Sequence, residues 1–154
     1  MNYLPLILIL DYLASLLLGL LCRDLLAGPV NPARFLELPN LLPVILVMPF
    51  LETALIHSLL VEASLKLGRG KPVALYVGGA LAGLVFFVLH LVMNGPFNGL
   101  VYGLPGGISL SVMYCLARKD GAKVAFFHTW MLHLASNALL VLSVAYYGMT
   151  LGGA

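Results

Sequence analysis

Met48-Pro49-Phe50-Leu51-Glu52-Thr53-Ala54-Leu55-Ile56-His57 places a carboxylate and an imidazole in the middle of an apolar run that extends from Leu41 to Leu67. An ionisable group in mid-bilayer costs roughly 3 kcal/mol on insertion scales, so Glu52 requires partners. Two other hydrophobic segments each carry a histidine, His90 and His133, that nothing local explains. The apolar setting is general: the chain is 62% hydrophobic and 9% charged, with a mean hydropathy of +1.05, whereas soluble domains carry about 25% charged residues. The sequence therefore predicts an all-α polytopic transmembrane helix bundle in a lipid bilayer, one membrane domain over 1–154 with no room for a soluble module. The net charge of +2 is small and the basic residues sit in short loops, which argues against a nucleic-acid partner.

Outward from this stretch, five spans are expected: 4–22, 41–67, 73–93, 99–117 and 122–147, the last four forming a catalytic core. The first carries Asp11, read as a bundle-facing hydrogen-bond acceptor. The loop 23–40 is rich in Gly and Pro, with a short interfacial helix expected from Asn31 and a cap for the second span at Asn40. Pro49 removes a helical hydrogen bond, expected to be the one to Ile45, and kinks the helix one turn before Glu52. Gly103, Pro105, Gly106 and Gly107 predict a kinked or broken fourth span. The loops at 66–71 and 118–123 are basic and the 93–98 loop is uncharged, which places the basic loops and the N-terminus in the cytoplasm.

Side chains that share a face follow from 100° per residue. Gly79, Gly83, Phe86 and His90 fall within about 60° of one another, so the small-residue stripe that packs also carries the histidine. Phe126, Trp130, His133, Asn137 and Leu140 share a face of the fifth span, with His133 and Asn137 one turn apart. Glu62 and Lys66 read as an i, i+4 pair, while His128 points away from His133 and toward an interface. Tyr146 and Tyr147 read as an interfacial belt. In the predicted topology the candidate site lies in the outer half of the membrane.

Glu52, the F-x-x-x-H motif Phe86-Phe87-Val88-Leu89-His90 and the H-x-x-x-N motif His133-Leu134-Ala135-Ser136-Asn137 resemble, in that order, the motifs of the CPBP family. This is the CAAX-protease and bacteriocin-processing group of intramembrane proteases, also called the abortive-infection family. The likeness covers about residues 40–147. It departs at the first motif, where the family reads E-E-x-x-x-R and this chain has Glu52-Thr53-Ala54-Leu55-Ile56-His57. Thr53 and His57 replace a charged i, i+4 pair and are expected to make a neutral hydrogen bond instead, on a face turned away from Glu52.

The resemblance implies an intramembrane endopeptidase of the glutamic type, without a cofactor, in a bacterial or archaeal cytoplasmic membrane. Glu52 is then the base that activates water, His90 holds the water or the glutamate, and His133 and Asn137 supply oxyanion donors. Thr53, His57 and Phe86 are candidates for supporting the site. The expected substrate is a membrane-anchored or precursor protein or peptide, with an outward-opening site favouring C-terminal membrane anchors of exported proteins. Zinc held by Glu52, His90 and His133, with an open position for water, is the alternative mechanism. Two other classes remain open: a non-enzymatic immunity or scaffolding protein, and a proton pathway through Asp11, His57, Glu52 and Glu62.

Overall fold

A computed structural model describes residues 3–26 and 41–151, with side chains for 3–22 and 41–143. The expected interfacial helix at Asn31, the Asn40 cap and the side chains of Tyr146 and Tyr147 lie outside these. Among the described residues every element is helical and none is a strand. Helix α1 spans Leu4–Leu26 and α2 spans Pro43–Leu67. The run Pro72–Asn98 is broken at Gly95, whose φ of 85° and ψ of 168° are not helical. We therefore number α3 as 72–94 and α4 as 96–117, the latter starting at Pro96. Helix α5 is Ala122–Leu151, reached through a single 3-10 turn, Arg118–Asp120.

The helices form an integral membrane bundle. Four helical runs are long and apolar enough to cross a bilayer, and the longest, Pro72–Asp120, contains both α3 and α4. Only 11% of the first span is buried inside the bundle. Its outward residues, such as Leu6, Ile9, Leu13, Leu17 and Leu20, are the kind of surface that lipid covers. Lys119 lies 5.5 Å from the ring of Tyr3, so the start of α1 and the α4–α5 turn share one end of the bundle.

α3 and α4 form an antiparallel hairpin around Gly95, and small residues set how closely they approach. A Cβ built on Gly83 would come 2.8 Å from the Gly107 carbonyl oxygen, and one on Gly107 would come 2.5 Å from that of Gly83. Since lipid is as apolar as the side chains, membrane helices associate through such close packing rather than through hydrophobic exclusion. The packed centre is built from Val61, Phe86, Leu110, Met113, Tyr114 and Leu132, with Ile7 added from α1.

Two expectations change. The proline and glycines of the fourth span do not end it: Leu104–Ala117 is α-helical and follows directly on a π turn at Gly99–Gly103, so Pro105 falls where the helix changes its hydrogen-bond register. Glu62 does not pair with Lys66 but bridges to Arg118 on the neighbouring helix. A partner across the bundle holds the carboxylate in a bidentate fork that a flexible lysine on its own helix does not match.

Candidate active site

Three short stretches of the bundle wind as π rather than α turns: Pro43–Val47, Thr53–Ser58 and Gly99–Gly103. Such turns recur at functional sites because they redirect a few side chains without ending the helix. All three border the residues that the sequence singled out.

The first explains Asn137. In the π turn the N–H of Met48 bonds to the Pro43 carbonyl, five residues back. By the same register Val44 should receive the N–H of residue 49, which is proline and has none. Asn137 supplies the missing donor, with Nδ2 at 2.9 Å from the Val44 oxygen. The carbonyl freed by Pro49 is thus that of Val44, not Ile45 as expected, because the helix changes its hydrogen-bond register there. One amide hydrogen of Asn137 is committed to tying α5 to α2.

One turn earlier on α5, His133 is 3% exposed, and its Nε2 lies 3.3 Å from Glu52 Oε2. The carboxylate and imidazole singled out on separate spans therefore meet. Two residues before Glu52, the Phe50 ring is edge-on to Phe126 at 5.4 Å and to Trp130 at 5.7 Å, a further contact between α2 and α5. Nδ1 of His133 is buried without a hydrogen-bond partner.

Phe86 joins the remaining histidines. Its ring stacks on His90 at 4.2 Å between centroids and lies 5.4 Å from His133 and 5.6 Å from His57. Three imidazoles, from α2, α3 and α5, surround one aromatic ring. His90 Nδ1 is 3.0 Å from the Phe86 carbonyl, which can only accept, so Nδ1 carries the hydrogen and the neutral ring keeps a lone pair on Nε2. Gly103 makes room for this arrangement: a Cβ there would fall 2.6 Å from that of His90. Gly106 lies under the Phe86 ring, its built Cβ 3.2 Å from Cε1.

His57 belongs to this cluster rather than to a separate face. Both it and Thr53 are fully buried, and the hydrogen bond expected between them is not made: Thr53 Oγ1 and both His57 nitrogens have no partner. His57 faces the carbonyls of Glu52 and Gly107 without good hydrogen-bond geometry. The cause is the second π turn. At 100° per residue His57 lies about 140° from Glu52, but in an i→i+5 turn residues five apart are brought close to one another.

The other polar residues are accounted for elsewhere. Glu62 receives Tyr114 Oη at 3.0 Å and Arg118 at 2.6 and 3.0 Å, and Tyr114 in turn receives Ser58 Oγ at 3.1 Å. Asp11 receives Ser109 and Ser136. His128 turns its Nδ1 back to the Val124 carbonyl. These closed groups do not connect Asp11, His57, Glu52 and Glu62 into one chain of hydrogen bonds. Among the described residues, no three His, Cys, Asp or Glu side chains are grouped as a metal ion requires.

The site lies toward the end of the bundle marked by Gly95. By helical rise Glu52 is about 13 Å from the start of α2 and about 22 Å from Leu67, and His90 about 7 Å from Gly95. Comparison with family models, with curated proteins and with solved structures gives no match to the chain. The likeness to the CPBP family therefore rests on the three motifs themselves.

Proposed function

We propose that the protein is an intramembrane endopeptidase in which Glu52 activates water against a peptide bond of a membrane-anchored substrate. The observation that carries this reading is the 3.3 Å contact between Glu52 and His133 beside two further imidazoles, in a bundle otherwise almost free of charge. His133 orients the carboxylate. The lone pair on His90 Nε2 is available to accept from the attacking water.

In the reaction the water oxygen adds to the scissile carbonyl carbon while its proton passes to Glu52. The second amide hydrogen of Asn137, the one not on Val44, stabilises the oxyanion. Collapse breaks the C–N bond, and Glu52 returns the proton to the departing amine. No metal is needed for this balance. The positive loops at 66–71 and 118–123 orient the N-terminus to the cytoplasm and the Gly95 end outward, so the substrate is cut near the outer interface.

The test is mass spectrometry of membrane-anchored proteins from cells carrying wild-type or Glu52→Gln protein. A C-terminal anchor fragment present only with the wild type is the expected result. Identical fragment sets in both would sink the reading and favour a non-enzymatic scaffold.

A further inference from the structure

Asp11 is the one carboxylate of α1 whose surroundings the structure describes, and the motif-bearing core does not include it. It is 8% exposed, and its two oxygens go to two different helices. Oδ1 accepts from Ser109 Oγ on α4 at 2.9 Å, and Oδ2 accepts from Ser136 Oγ on α5 at 2.7 Å. A residue needed only to fasten α1 would require one such bond to either helix. This one bridges the pair.

Both bonds lead to the imidazole cluster. Ser136 sits between His133 and Asn137 on one turn of α5, so a fixed Ser136 fixes the rotation of the turn that presents His133 to Glu52. Ser109 Oγ is also 3.1 Å from the Gly106 carbonyl, its alternative acceptor. Gly106 is the floor on which the Phe86 ring rests, and that ring carries His90. On its own helix Asp11 is followed by Tyr12, which bonds Ser143 further along α5 at 3.0 Å, and one turn on by Ser15; neither is a hydrogen-bond partner of its carboxylate.

The geometry points to Asp11 as a positioning residue of the site: it holds the α4 turn beneath Phe86 and the α5 turn of His133 in mutual register, which makes α1 part of the working site rather than an accessory span. The inference rests on the protease reading for its kinetic consequence only. The register it assigns is physical and is measurable without any activity.

The experiment uses the full chain in lipid nanodiscs, with wild type, Asp11→Asn, Asp11→Leu, Ser136→Ala and Glu52→Gln. Two quantities are read: cleavage of a panel of quenched-fluorescence reporter peptides, each containing one transmembrane segment, and the ring nitrogen NMR signals of selectively labelled histidines. Small displacements of aligned groups cost about 100-fold in rate, so Asp11→Leu is expected to lose about that factor in kcat. KM should change by less than about twofold, since substrate binding is not what the residue serves. Asp11→Asn keeps a carbonyl oxygen that still accepts one hydroxyl and should recover part of the loss, which a purely volumetric effect would not do.

The His133 and His90 ring signals should move in Asp11→Leu, and His133 alone in Ser136→Ala. Wild-type kcat with unmoved ring signals in Asp11→Leu overturns the proposal, whatever happens to the melting temperature. If Asp11→Leu does not fold, the same criteria apply to Asp11→Asn. If wild type and Glu52→Gln both leave every reporter intact, the protease reading fails by itself. The ring signals then decide alone: movement supports the positioning role and its absence rejects it.

Discussion

Helix α2 carries two glutamates with opposite surroundings. Glu62 is paired on both oxygens: Tyr114 Oη and Arg118 Nε donate to Oε1, Arg118 Nη2 donates to Oε2, and Ser58 stands behind Tyr114. Glu52 has one contact, at 3.3 Å, among imidazoles whose nitrogens are mostly without partners. Buried polar groups are ordinarily bonded, because an unsatisfied one costs about 1–3 kcal/mol. A carboxylate held on both oxygens by an arginine fork and a phenol is committed to a structural pairing. An under-bonded one in the same helix marks where the fold tolerates instability for another purpose.

Substitutions on the two sides should separate accordingly. The largest effect is expected from Glu52→Gln, which keeps the shape and removes the proposed base: cleavage is expected to fall by at least about 1,000-fold, equivalent to about 4 kcal/mol of barrier. Its melting temperature should hold or rise, since a charge is lost from an apolar site. A large drop in stability with activity intact would reverse the roles assigned to the two glutamates.

Next comes Gly83→Leu, which drives a side chain into the Gly107 backbone at the crossing that seats the cluster. A loss of about 3 kcal/mol is expected from overpacking, measured by unfolding in mixed micelles, together with loss of the close α3–α4 approach. Asn137→Ala leaves the Val44 carbonyl bare and should cost about 2 kcal/mol. In a Pro49→Ala background, where residue 49 regains an N–H, the same change should cost much less. A double-mutant cycle with no coupling would show that proline and asparagine are unrelated. The smallest effect is expected from Glu62→Gln. Its side chain and that of Arg118 are about a third exposed, so stability should drop by about 1 kcal/mol with kcat unchanged.

The legible part of the structure was whatever depends on composition and simple period. The apolar runs, the inward faces of His90 and His133 and the packing role of Gly83 follow from 100° spacing along ordinary α-helix. His57 was misplaced because that spacing fails locally, and a π turn leaves no mark in the residues that form it. Glu62 was misassigned because Lys66 offers a local partner, whereas Arg118 lies far along the chain and only the fold brings it near. The recruitment of Asn137 by Val44 was hidden for both reasons at once: a distant pair, joined through a register change at Pro49.

The Gly95 turn has a consequence for how such a chain enters a bilayer. Between Lys71 and Arg118 there is no Asp, Glu, Lys or Arg, and the reversal at Gly95 falls near the middle of that interval. α3 and α4 can therefore cross as a folded pair, with neither the limbs nor the tip carrying a charge through hydrocarbon. The glycines that later press the two helices together also allow the pair to close before the rest of the bundle exists. The half of the site built on Phe86 and His90 would then be assembled first, as a membrane-inserted unit awaiting Glu52 and His133.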